Sequence, residues 1–117
     1  MTGTAPILLF AFNRPEHTRR TVDALRTNEL AAESDLIVYC DGPRSESERP
    51  RTDAVREYVS RISGFRSLEV VSRDRNWGLA PSVIDGVTRV VNERGRVIVL
   101  EDDLVTSPYF LRYMSLS

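Results

Sequence analysis

The sequence predicts an α/β domain built on a mostly parallel sheet with flanking helices. Two observations carry this. Short, nearly continuous apolar runs alternate with stretches of helical periodicity along almost the whole chain, the signature of βαβ units. The apolar runs are not period-two patterns, so they read as strands buried on both faces. A third observation points to where a ligand would bind: Glu101-Asp102-Asp103 follows directly on the apolar run 97–100. Strand C-terminal ends are where open α/β sheets take ligands.

The elements follow in order. Residues 7–12 form a first buried strand, and Pro15 suits the first position of a helix. Asn13 or Arg14 then precedes that helix, with Val22, Leu25 and Leu30 on its apolar face and Arg19, Arg20 and Arg26 toward solvent. Residues 35–40 form a second strand ending in the turn signal Asp41-Gly42-Pro43. Residues 44–51 read as a solvated loop. Val55, Tyr58, Val59 and Ile62 mark a helix, and Gly64 is its expected stop. Residues 68–71 are a short third strand, and 74–78 a loop whose Asp74 and Arg75 read as loop charges and Trp77 as a packing or lid aromatic. Pro81 opens the next helix, with Val83, Ile84, Val87, Val90 and Val91 as its apolar positions and Gly95 as its end. The fourth strand and the acidic triplet follow. Ser107-Pro108 then starts a further helix with Tyr109, Phe110, Tyr113 and Met114 as a packing face.

Composition narrows the chemistry. The chain has 117 residues, enough for one small domain with a real core. The formal net charge is −1, so no nucleic-acid partner and no general pull to anionic membranes is expected. All 16 basic residues are arginine, which excludes a Schiff-base lysine and a P-loop lysine. The single cysteine, Cys40, lies inside an apolar run and reads as core; no intrachain disulfide is possible. The single histidine, His17, reads as an exposed helical residue, which leaves little for a nucleophile–histidine triad. The start of the chain lacks the basic region of a signal peptide, and no run reaches membrane-spanning length. A cytoplasmic location, or the cytoplasmic face of a membrane, is the expectation.

Three adjacent acids repel one another, and a divalent cation relieves that repulsion. Hard cations such as Mn²⁺ or Mg²⁺ take carboxylate oxygens and leave positions for phosphate oxygens. The four expected strand ends together carry Asn13-Arg14, Asp41-Gly42, residues 74–78 and the triplet. That set suits a phosphorylated ligand held through a metal. The loop after the first strand is neither glycine-rich nor a Walker A sequence, so dinucleotide and ATPase readings are weak. A phosphoacceptor receiver domain needs acids after its first strand and a late lysine, and the chain has neither.

The segments ILLFAFNRP (7–15), VYCDG (38–42), NWGLA (76–80) and VIVLEDDL (97–104), in this order and spacing, resemble the N-terminal half of GT-A glycosyltransferases. The likeness is to family-2-like transferases and to the N-acetylglucosaminyltransferase I type, with Glu101-Asp102-Asp103 as a DXD-like metal motif. It implies a Rossmann-like sheet and a nucleotide-diphosphate-sugar donor, UDP-linked in preference, held through Mn²⁺ or Mg²⁺. It also implies roles residue by residue. Arg14 would meet the nucleotide and its diphosphate, and Asp41 would accept a base N–H. Asp103 would be the direct metal ligand. Asp102 would contact ribose or the metal's water shell, and Glu101 would approach the donor sugar. Asn76 and Gly78 would lie at the donor pocket, the glycine allowing close backbone approach.

A complete GT-A domain is roughly twice this length, near the upper range of single domains. Residues 1–117 are therefore expected to form a single nucleotide-sugar-binding domain, shortened relative to a full GT-A domain. The catalytic base and the glycan or other hydroxyl acceptor's contacts are expected outside it. An exposed sheet edge covered by self-association is expected as well. The alternatives from other classes are a non-catalytic nucleotide- or carbohydrate-binding module of the same fold, and a nucleotidyltransferase. The latter ordinarily shows a glycine- and lysine-rich first loop that this chain lacks.

Overall fold

A computed structural model describes residues 5–100 and the backbone of Glu101. Four strands alternate with three helices. They are β1 (Ile7–Ala11), α1 (Pro15–Arg26), β2 (Asp35–Cys40), α2 (Arg49–Val59), β3 (Ser67–Ser72), α3 (Leu79–Arg94) and β4 (Ile98–Glu101). All sheet pairings are parallel and the order is β3-β2-β1-β4. The expected α/β class with a parallel sheet is therefore what the chain forms. The order places β2 and β4 on opposite sides of β1. Such a reversal leaves a crevice at the strands' C-terminal ends.

The two faces of the sheet bury different sets of residues. Ile7, Leu9 and Ala11 of β1, with Leu36, Val38 and Cys40 of β2, pack with Val22 and Leu25 of α1 and Val55 and Val59 of α2. The alternate residues Leu8, Phe10, Ile37 and Tyr39 pack with Val90, Val83 and Val87 of α3. Two helices thus cover one face and α3 covers the other. This is what right-handed crossovers require when the chain runs outward through β2 and β3 and then returns to the far side of β1. Full burial of β1 and β2 explains why residues 7–11 and 36–40 are apolar at every position rather than at alternate ones, Asp35 at the start of β2 being the exception.

Several sequence readings change. Leu30 lies beyond α1, which ends at Arg26, and Ile62 and Gly64 lie beyond α2, which ends at Val59. Residues 44–51 are not simply a solvated loop. Glu46–Glu48 is a 3₁₀ turn, α2 already begins at Arg49, and Glu48 is buried. Helix α3 starts at Leu79, two residues before Pro81, and its inward stripe is Ser82, Gly86 and Val90. Ile84 is 67 % exposed and Val91 39 % exposed. The small residues win the interface because a Cβ at Gly86 would already lie 3.1 Å from the Phe10 ring and 3.2 Å from Leu8, so α3 rides close against β1. His17 is half-buried rather than exposed.

Asp35 anchors the opposite end of the sheet. Its carboxylate takes a bidentate pair from Arg66 at 2.8 and 2.6 Å, Arg94 at 2.7 Å and the Ser67 hydroxyl at 2.7 Å. Those bonds join the starts of β2 and β3 to the end of α3. The Arg66 guanidinium, then Arg94 and Ser67, hold the Asp35 carboxyl well below the usual carboxylate range, against the opposing effect of burial. At the edges of the sheet, Val70 of β3 is 37 % exposed and Val99 of β4 39 % exposed. Among the described residues no helix is long and apolar enough to cross a membrane.

Candidate functional site

The C-terminal ends of β1 and β2 meet the N-terminal turn of α3 around a cavity of about 240 Å³. Phe10, Phe12 and Tyr39 give it aromatic walls; Asp41, Arg44, Asn76, Gly78 and Ser82 give it polar groups. It lies on the α3 face of the sheet, since Phe10 and Tyr39 belong to that face. Strand β4 brings Glu101 alongside, opposite Phe10 in the β1–β4 register. Asp102 and Asp103 lie outside the described residues, as does the helix expected after Ser107-Pro108.

Asp41 organises this region. It leaves β2 with its N–H bonded to the Ala11 carbonyl at 3.0 Å. One carboxylate oxygen accepts the N–H of Gly42 at 2.9 Å and of Trp77 at 2.8 Å. The other accepts the N–H of Gly78 at 3.0 Å and the Asn76 side-chain amide at 3.2 Å. A carboxylate offers about four acceptor positions, and the protein's own donors fill them. Asn76 also donates to the Gly42 carbonyl at 2.9 Å. The expected pocket residues Asp41, Asn76 and Gly78 are therefore brought together, and Asp41 acts on the loop first.

Two glycines make this crossing feasible. At Gly42 a Cβ would sit 2.5 Å from the Arg75 carbonyl carbon, so only glycine lets the 74–78 loop pass over the turn. Gly78 precedes α3 with φ 84° and ψ 157°, a region essentially reserved for glycine. A Cβ there would meet only Pro81 Cδ, at 3.8 Å. Within the fold, then, Gly78 is a glycine for its backbone conformation and not for crowding.

Arg14 stands elsewhere. It is the exposed residue before α1, where its carbonyl accepts the Thr18 N–H and hydroxyl, each at 2.9 Å. It does not line the cavity. The arginine that does is Arg44, whose guanidinium lies 5.3 Å from the centre of the Phe12 ring. Arg44 is held by buried Glu48, which accepts its backbone N–H at 2.8 Å and its guanidinium at 2.6 and 3.2 Å. Asn13 also donates to Glu48, at 3.1 Å, so the loops after β1 and β2 are tied together. The Arg44 side chain and N–H, helped by Asn13, pull the Glu48 carboxyl down to about 2.

Trp77 is 41 % exposed and stacks on Arg73 at 3.7 Å; the same guanidinium lies 4.9 Å from the Tyr39 ring. Burial pushes the Tyr39 hydroxyl up. Asp74 and Arg75 are exposed, as expected of loop charges. Cys40 is fully buried, and burial pushes its thiol up to about 11, so it stays protonated and packs as core.

Sequence reasoning missed Arg44, Glu48 and Ser82. A signal existed for each. Arg44 and Glu48 stand four apart, the spacing of a helical ion pair. Ser82, Gly86 and Val90 recur every fourth residue, a small-residue stripe overlooked beside the larger valines. Among the described residues no group of three or more histidine, cysteine or acidic side chains forms a metal centre. No protein-family model matches the chain, and no curated protein matches it.

Proposed function

We propose that the chain is the donor-binding part of a GT-A glycosyltransferase that binds a nucleotide-diphosphate sugar, UDP-linked in preference, through Mn²⁺ or Mg²⁺. The observation that carries this is one of position. A cavity with aromatic walls and several polar groups lies at the C-terminal ends of β1 and β2, and β4, whose end carries Glu101-Asp102-Asp103, pairs directly with β1. Its volume of about 240 Å³ is below the roughly 300–1,000 Å³ of drug-sized ligand pockets. It suits a base, with the diphosphate and sugar extending toward the acidic strand end.

Asp103 and Asp102 supply the hard oxygen donors that such a cation takes, and Glu101 approaches the donor sugar. When bound, the metal supplies charge neutralisation for a departing diphosphate. The chain's own residues shape and orient. Asp41 and Asn76 fix the loop that walls the base pocket, and Arg44 presents its guanidinium at the rim. Arg14 is reserved for a more extended part of the nucleotide. A non-catalytic binding module of the same fold is the second reading; in its favour, the Asp41 carboxylate is already occupied by the protein's own donors.

Titration calorimetry with UDP and GDP, with and without Mn²⁺, tests the proposal. Metal-dependent UDP binding that is lost in Asp103→Ala is the expected result. Absent or metal-independent binding would remove the glycosyltransferase reading.

A further inference from the structure

Ser82 is only 4 % exposed, lines the cavity, and has a hydroxyl without a hydrogen-bond partner among the described residues. That is unusual for a helical serine, which ordinarily bonds the carbonyl four residues back. Here the Gly78 carbonyl accepts the Ser82 backbone N–H at 3.2 Å, and Oγ makes no such bond. A buried hydroxyl left without a partner destabilises the fold. Its persistence beside a cavity points to a ligand atom as the missing partner.

The surroundings define that atom. Ser82 lies in the first turns of α3, a helix of 16 residues whose N-terminal turn borders the cavity through Gly78 and Leu79. The positive end of a helix favours an electron-rich oxygen over an N–H group. The walls from Phe10, Phe12 and Tyr39 suit the faces and edges of a flat ring. Asp41 cannot supply discrimination by accepting, because its oxygens already serve Gly42, Asn76, Trp77 and Gly78.

We propose that Ser82 is a specificity-determining binding residue, whose hydroxyl donates to a carbonyl oxygen on a planar heterocyclic base held in this cavity. The inference rests on the nucleotide reading above and adds to it a preference among bases: a base with a ring carbonyl satisfies Ser82, and adenine, which has none, does not.

The experiment is calorimetric titration of UDP and of ADP in Mn²⁺ into the wild-type chain and Ser82→Ala, with thermal melts of both proteins without nucleotide. UDP is expected to bind the wild type more tightly than ADP. Ser82→Ala is expected to weaken UDP about five- to tenfold, the worth of one hydrogen bond, and to leave ADP unchanged. The ligand-free melting temperature should stay level or rise by a few degrees, because the substitution removes a buried hydroxyl that lacks a partner and favours helix. Unchanged UDP affinity in Ser82→Ala would overturn the role of Ser82 while the nucleotide reading stands. Equal weakening of both nucleotides, ADP binding as tight as UDP, or a lowered ligand-free melting temperature would overturn it too. Failure of the wild type to bind either nucleotide would overturn both inferences.

Discussion

The carboxylate of Asp41 accepts the backbone N–H groups of Trp77 at 2.8 Å and of Gly78 at 3.0 Å, joining the end of β2 to the start of α3. Both oxygens face donors, so replacing either with an amide NH₂ sets donor against donor. Asp41→Asn should therefore lower unfolding stability by about 1–3 kcal/mol, the range for a buried polar group deprived of its partner. Urea unfolding measures this. Nucleotide binding should weaken along with it, because the loop that walls the cavity loses its anchor.

Gly78→Ala should destabilise the chain by about 1–3 kcal/mol through backbone strain alone. At φ 84° and ψ 157° an alanine has no comfortable conformation, although its methyl would have room. Chemical denaturation of this variant beside Ala80→Gly, on the same helix turn, separates conformational strain from general sensitivity of the turn. The expected order is a larger loss for Gly78→Ala.

Acid should weaken the fold through Asp35 and Glu48. Both carboxyls have depressed folded values, Asp35 through Arg66 and Arg94 and Glu48, to about 2, through Arg44. Their stabilisation is complete above the unfolded carboxylate range, near pH 4, and is lost as pH falls through it toward the folded values. Asp35→Asn should be less stable than wild type at neutral pH and show a flatter decline below about pH 4. Thermal melts across an acid series provide the comparison.

Cys40 should be inert in the native chain. Its thiol is buried and pushed up to about 11, so a disulfide-exchange reagent at pH 8 finds neither thiolate nor access. Colorimetric thiol titration should show negligible reaction in buffer and one thiol per chain in urea. Rapid native labelling would mean that β2 opens readily.

The parallel sheet was legible because burial on both faces leaves an unbroken apolar run, as in residues 7–11 and 36–40. The strand order adds nothing local to the sequence, yet β1, the most apolar run, is central, as its composition requires. Asp41, Asn76 and Gly78 were legible as a group because each lies just past a strand. What they do to one another was not, since a hydrogen bond between residues 35 to 37 positions apart leaves no periodic trace. Arg14 and Arg44 are equally plausible arginines by position. Only the turn that buries Glu48 directs Arg44 to the cavity rim. Ile84 looked like core by size, whereas Gly86 decides how α3 sits because it lacks a side chain.

Asp41 grips Trp77 through its main chain, and the loop crosses Gly42 at the Arg75 backbone. The backbone path of the loop is thereby held by main-chain bonds, while the indole at position 77 contributes its stacking on Arg73. Exchanging that indole costs the Arg73 stacking but leaves the bonds of Asp41 in place, an adjustable position on a frame whose glycines and aspartate must stay fixed.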